Sequence, residues 1–118
     1  MSLLSEIYEA IEGCGYAVET GVFQETAPDE YAAITPLSDT FGMHADNVPC
    51  YCTEEARISL FSKGNYSVMK YAVLAALFKA GFRITDVRYI EHEDDTGYHH
   101  VAIDAAKTYF AGSYMEET

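Results

Sequence analysis

Residues 64–82 have the sequence GNYSVMKYAVLAALFKAGF, which predicts the helix on which the rest of the fold depends. Asn65 can cap its first turn, and Gly81 can adopt the left-handed conformation that ends a helix. The polar side chains between them are Ser67, Lys70 and Lys79. A helix that is apolar nearly all round needs cover on more than one side. That cover comes either from a sheet and another helix of the same chain, or partly from another subunit.

Aromatic and apolar side chains are therefore the candidates for contact with other proteins. Those on the predicted helix are Tyr66, Met69, Tyr71, Leu74 and Phe78, and those in an irregular stretch before it are Phe41, Met43 and His44. The chain has ten tyrosines and no tryptophan, and amphipathic tyrosine is enriched at protein interfaces.

The segments on both sides of this helix predict strands. From Glu54 onward, Ala56, Ile58 and Leu60 alternate with polar residues, as in a strand with one buried face. Residues 83–93 and 98–110 predict a hairpin with a three-residue loop, Asp95–Gly97, and Gly97 in the left-handed conformation. In that register His92 faces His100, and Arg88 faces Asp104 as a charge pair.

The N-terminal half predicts a helix over 3–13, stopped by glycine, and strands over 16–23 and 31–35, with Pro36 ending the second. Residues 36–53 contain two prolines and no sustained period, so we expect an irregular loop or arm there. The prediction is one α+β domain over 1–112 with a mainly antiparallel sheet and two helices, in the order α-β-β-(long loop)-β-α-β-β. Residues 113–118 are expected to form a flexible acidic tail.

The segment EHEDDTGYHH, residues 91–100, contains three histidines and four carboxylates. His92 and His100 would be cross-strand neighbours, able to share a metal with Asp94, or with His44 or Asp46 from the loop. The spacing matches no known metal motif, and a polar hairpin tip explains the same residues, so neither is assigned as a ligand. Cys50-x-Cys52 is too closely spaced for a zinc pair. With no nucleophile or phosphate-binding motif either, we expect no enzyme activity and no cofactor.

The overall composition restricts the possible partners. The 118 residues carry a net charge of −12, which argues against sequence-specific nucleic-acid binding, since that needs basic side chains against phosphates. No apolar run is long enough to span a membrane, and no basic segment marks a signal peptide. Three cysteines, an odd number, suit a reducing cytoplasm.

The segment of residues 56–109 resembles small tail terminator and head–tail completion proteins of long-tailed bacteriophages and prophages. The N-terminal helix, the strands after it and the loop at 36–53 fit the same order, so the resemblance covers most of residues 3–110. The similar features are the strand ending in Leu60-Phe61-Ser62-Lys63, the apolar helix, and a closing hairpin with Tyr98-His99-His100. The resemblance implies a structural protein made in the bacterial cytoplasm and located in the tail or neck of a virion. It also implies a homo-oligomeric, typically hexameric, ring that binds a tail tube protein and a head-completion protein. It supplies no catalytic residues.

Two other functions remain open from the residues alone. One is a small metal-binding or hydrolytic protein that uses the histidine-rich hairpin. The other is an acidic adaptor that mimics DNA charge and occupies the basic groove of a nucleic-acid enzyme.

Overall fold

The computed structural model describes residues 3–19, 28–45 and 48–110, with the backbone alone for 43–45 and 48–50. Within these ranges, two helices and five strands follow one another as α1 (Leu3–Gly13), β1 (Ala17–Glu19), β2 (Glu30–Ala45), β3 (Val48–Ser62), α2 (Tyr66–Lys79), β4 (Arg83–His92) and β5 (His99–Phe110). They form one sheet in the order β1-β2-β3-β5-β4. The pairing is antiparallel except between β1 and β2. The predicted α+β class is confirmed, whereas the proposed tail, 113–118, lies outside the described residues.

The core lies between the two helices and one face of the sheet. Alternate residues of β3, namely Ala56, Ile58 and Leu60, are buried as the sequence predicts. They meet the buried stripe of α1, which consists of Leu3, Ile7 and Ile11. The apolar period of 3.6 in the helix and of 2.0 in the strand thus selects the two surfaces that pack together.

Both ends of α2 are fixed by the predicted residues. The side-chain oxygen of Asn65 accepts a hydrogen bond from the Ser67 amide at 3.1 Å. At the other end Gly81 has φ +90°, and the amides of Gly81 and Phe82 donate to the carbonyls of Phe78 and Leu77 at 3.1 and 3.0 Å. This pair of bonds is a Schellman motif, which satisfies the last carbonyls of the helix.

The prediction of an irregular segment over 36–53 is wrong. Residues 36–45 and 48–53 belong to a long antiparallel pair of strands, β2 and β3, with Thr40 opposite Thr53. Pro36 does not end β2; the register shifts beside it, at Leu37, and the strand continues. A proline is tolerated there because the adjacent register shift is a β-bulge, where a missing backbone donor does not break the ladder. The bulge interrupts the period of two, which hides the strand from pattern analysis.

The predicted register of the second hairpin is also wrong. Its loop has four residues, 94–97, closed by the Glu93 amide donating to the Tyr98 carbonyl at 2.8 Å, although Gly97 does have the predicted positive φ. His92 therefore faces His99 rather than His100. A register shift between Tyr89 and Glu91 places Asp104 opposite Asp86, and a second shift follows between Ile84 and Asp86.

The observed register of the β4–β5 hairpin also changes which charged side chains form ion pairs. Asp104 binds Arg57 of β3 through two hydrogen bonds of 2.8 and 3.1 Å. Arg88 binds Asp86 on its own strand at 2.8 Å. The expected Arg88–Asp104 pair is therefore absent from the β4–β5 hairpin.

The molecule is elongated, with principal extents of 54 × 27 × 23 Å. The part of the first hairpin formed by residues 36–45 and 48–53 is called the distal hairpin below. Within it β5 accompanies β3 as far as the pair Tyr51 and Phe110. The described hairpin thus extends beyond the end of β5.

Candidate interaction surfaces

An apolar stripe runs along the side of α2 that faces away from the sheet. Met69, Val73 and Leu77 on the opposite side are fully buried. The stripe, called the outer stripe of α2, consists of Val68, Tyr71, Ala75 and Phe78 at a spacing of three or four residues. Val68, Tyr71 and Phe78 are 61%, 64% and 61% exposed. One protomer therefore covers only one side of this helix.

Two lysines border the outer stripe of α2. The Nζ atom of Lys70 lies 4.8 Å from the ring centroid of Tyr71, which places a cation over an exposed aromatic face. Lys79 is exposed and lines a groove between α1 and α2 together with Glu9 of α1. The stripe thus has an apolar centre with positive flanks.

The predicted contact residues on α2 divide into three groups. Tyr71 and Phe78 lie on the outer stripe. Tyr66 and Leu74 are half-buried; Tyr66 packs against Tyr89, with ring centroids 5.2 Å apart, and Leu74 packs against the core. Met69 is fully buried, so it is a core residue of the protomer and its assignment to an interface is wrong. Val68 was missed, although its spacing of three from Tyr71 was visible in the sequence.

The solvent-exposed side of α1 is acidic. Leu4 and Tyr8, one turn apart, are 39% and 38% exposed. Glu12 beside them is exposed, and so is Glu9, which borders the groove between α1 and α2. The negative charge of Glu12 and its hydrogen bond to Tyr8 raise the pKa of that phenol. These four residues are called the outer side of α1.

The distal hairpin also exposes apolar side chains. Leu37, Phe41 and Tyr51 are 41%, 49% and 40% exposed, and Phe110 of the adjacent β5 is 61% exposed. The rings of Tyr51 and Phe110 meet edge to face at 6.0 Å between centroids. Phe41 is thus placed as an interface candidate, whereas the side chains of Met43 and His44 lie outside the described part.

The sheet face opposite the helices carries an aromatic cluster. Phe61 of β3 stacks on Tyr31 at 4.7 Å and on His100 at 4.4 Å between ring centroids. Tyr98 packs its edge against Tyr31 and donates its hydroxyl to the Pro28 carbonyl at 2.6 Å. The cluster covers one end of this face without a helix above it.

Within the described residues, the histidine-rich hairpin does not place the two candidate ligands His92 and His100 opposite each other. The ring of His92 lies 4.6 Å from that of His99, and its Nδ1 is 3.2 Å from Asp94 Oδ1. The Nε2 atom of His100 is buried without a hydrogen-bond partner, and burial lowers the pKa of this imidazole. Among the described residues no three histidine, cysteine or carboxylate side chains are grouped closely enough to hold a metal ion. His44 and Asp46 lie outside those described side chains, and so does Cys50.

A partly buried ionic network joins α1 to β5. The ammonium of Lys107 donates to Glu6 at 2.8 Å and to the Ala80 carbonyl at 2.9 Å, and the Tyr109 hydroxyl also donates to Glu6. Burial by itself raises the pKa of Glu6, but these two donors and the charge of Lys107 outweigh it, so the pKa is lowered. The donors are mutually satisfied, which is typical of a structural anchor rather than a reactive group.

No protein-family model matches the sequence, and no curated protein matches it. Among solved structures, it is similar to a chain in the virion of a native gene transfer agent particle. The alignment covers 89% of this chain and 92% of that chain, with a TM-score of 0.53 and 12% sequence identity. The two chains share a fold. Neither described helix of the present protein is long and apolar enough to span a membrane.

Proposed function

We propose that this protein is a structural virion subunit that forms a ring of identical copies at the end of a tail tube and joins the tail to the head. The observation that carries the proposal is the fold shared with a virion chain along nearly the whole length of both chains. The resemblance of the sequence to tail terminator and head-completion proteins also supports a structural role in the virion.

The exposed apolar surfaces support an assembling subunit. The outer stripe of α2 and the distal hairpin each expose large apolar side chains. Contiguous exposed apolar surface on a small protein marks contact with other proteins. Two such surfaces on separate elements allow one to bind identical copies and the other a different partner.

The charge supports a ring through which DNA passes. A net charge of −12 on 118 residues repels a DNA duplex, so DNA can move past such a subunit without adhering. A subunit that gripped DNA would instead need clustered lysine and arginine to neutralise phosphates. We expect purified protein not to retard duplex DNA in a gel at physiological salt.

The proposal is tested by deleting the gene from the genome that produces the particles. We expect electron microscopy to show heads and tails that are not joined, with joining restored by the intact gene supplied in trans. Normal particles from the deletion strain would contradict the proposal. A gene position beside that of the major tail tube protein is the expected genomic context.

We assign contact with the tail tube to the distal hairpin. Phe41→Ser removes a half-exposed apolar side chain from this hairpin, so it is expected to leave ring formation intact and to reduce joining in the complementation assay. Ile90→Ser, which removes a side chain of similar exposure (42% against 49%) from β4, is the matched control and is expected to complement fully. If Phe41→Ser, or a chain lacking residues 39–47, restores normal joining of tails to heads, the distal hairpin does not contact the tail tube.

The two other functions give different results in solution. Stoichiometric zinc in purified protein, lost in a His92→Ala/His100→Ala double variant, would favour the metal-binding function. A strict monomer that inhibits a nucleic-acid enzyme by occupying its basic groove would favour the DNA mimic.

A further inference from the structure

We infer that the outer stripe of α2 docks onto the outer side of α1 of a second copy, so that identical copies associate head to tail. The inference rests on the proposed function, because it names the two surfaces through which the ring would form. It is carried by the separation of charge along the chain and by the places where the fold puts each charge.

The positive charge is concentrated in the part of the sequence that contains α2. Five of the seven lysines and arginines lie between Arg57 and Arg83, and no aspartate or glutamate lies in residues 56–85. In a protein with a net charge of −12, the outer stripe of α2 is thus an apolar surface with Lys70 and Lys79 at its borders. A partner for it needs exposed apolar side chains bordered by carboxylates.

The outer side of α1 has these properties. The helix has three glutamates and no basic residue. Glu6 is engaged with Lys107 inside the protomer, which leaves Glu9 and Glu12 exposed beside Leu4 and Tyr8. The two helices therefore present surfaces that match in polarity and are opposite in charge, and complementary charge sets both the encounter and the register of an interface.

The apolar parts of the two surfaces do not meet within one protomer, although Lys79 and Glu9 line the same groove between the helices. The near sides of the helices face each other across a groove, where the Cys14 thiol lies 3.5 Å from the Ala72 carbonyl. The outer stripe of α2 points away from the sheet, and Leu4, Tyr8 and Glu12 of α1 point away from α2. Each copy thus has both halves of the contact free for different neighbours, and a heterologous contact of this kind closes into a ring when its rotation permits.

Charge also disfavours the symmetric alternative. If two copies paired through their α2 stripes, Lys70 and Lys79 of one copy would lie against the same lysines of the other. Like charges opposed across an interface suppress that pairing. The same reasoning applies to two copies paired through Glu9 and Glu12 of α1.

The experiment uses two charge-reversed variants. Lys70→Glu/Lys79→Glu makes both surfaces of a copy acidic, and Glu9→Lys/Glu12→Lys makes both basic. Each variant alone is expected to associate on the order of a hundredfold more weakly than the wild type, measured by sedimentation velocity and native mass spectrometry. An equimolar mixture is expected to assemble again, because alternating copies restore opposite charges at every contact.

Matched controls separate the contact from general effects. Arg83→Glu/Arg88→Glu changes the net charge as much as the lysine variant but alters β4, so it is expected to assemble normally. Phe78→Ser is expected to weaken association at least tenfold. Phe110→Ser, on an equally exposed phenylalanine (61%) at the end of β5, is expected not to weaken it. Circular dichroism checks that every variant is folded.

The outcomes distinguish this inference from the proposed function. If each charge-reversed variant alone forms rings as stable as those of the wild type, the α2–α1 contact is wrong. The contact is also wrong if the equimolar mixture fails to assemble. In both cases the proposed ring itself is not contradicted. If Phe78→Ser forms intact rings that no longer join to tails, the outer stripe of α2 binds a different protein. That result would also contradict the α2–α1 contact. If the wild-type protein stays monomeric both at high concentration and when bound to tails, the α2–α1 contact and the proposed ring are both wrong.

Discussion

His100 has the most unusual environment of the described histidines. Its ring stacks on Phe61, and its Nε2 atom is buried without a partner. Burial lowers its pKa, so the folded protein holds the neutral imidazole where the unfolded chain, with a pKa of about 6.5, already binds a proton. Stability is therefore fully present above that unfolded value and is lost as pH falls towards the lower pKa of the folded state.

Replacing this histidine tests the linkage. His100→Phe keeps a ring against Phe61 and removes both the proton uptake and the unpartnered nitrogen. We expect the loss in melting temperature between pH 7 and pH 5 to be smaller in this variant than in the wild type. His92→Phe, an exposed histidine near the hairpin tip, is the control and is expected to keep the wild-type slope. Equal slopes for His100→Phe and wild type would contradict the assignment.

At the scale of elements, the C-terminal end of α2 is the feature on which the outer stripe depends. Its Schellman motif requires a residue with positive φ, and Gly81 has φ +90°. The motif also brings Phe82 into the core, where it is 4% exposed. A side chain at position 81 would therefore disturb both the cap and the entry into β4.

Two glycine substitutions at helix ends test this dependence. Gly81→Ala is expected to lower the free energy of unfolding by about 1–2 kcal/mol, because an L-residue is strained in the left-handed region. Gly13→Ala lies at the end of α1, where φ is not positive and an added Cβ meets no atom within 4 Å. This control is expected to be neutral or to stabilise by up to about 1 kcal/mol. Urea denaturation measures the free energy of unfolding of both variants. Equal values for the two variants would contradict a stabilising role for the positive φ of Gly81.

At the scale of the whole molecule, the dominant property is uncompensated negative charge. A net charge of −12 on an elongated body of 54 × 27 × 23 Å gives repulsion that opposes the compact state. The Debye length falls from about 30 Å at 0.01 M salt to about 8 Å at 0.15 M. Salt therefore screens repulsion across most of the molecule.

We expect sodium chloride to raise the melting temperature over this range. The measurement uses Phe78→Ser, expected to be mainly monomeric, so that assembly does not contribute. Ring formation by the wild type is expected to respond in the opposite direction, because salt also screens the attraction between α2 and α1. A melting temperature of the monomer that falls with added salt would contradict this account.

The sequence alone determined both helices, the caps of α2, the buried face of β3 and the fold class, because each depends on a local period or on one residue's backbone preference. The remaining features depend on how the strands pair with one another. Pro36 and the bulge at Leu37 conceal a strand whose hydrogen bonds come from a distant segment, and the true hairpin loop moved His92 away from His100. Likewise, composition made α2 apolar on every side, but only packing against the sheet selected Met69 for the core and left Val68, Tyr71 and Phe78 outside. Register and orientation are set by contacts between segments far apart in the chain, which a local pattern does not contain.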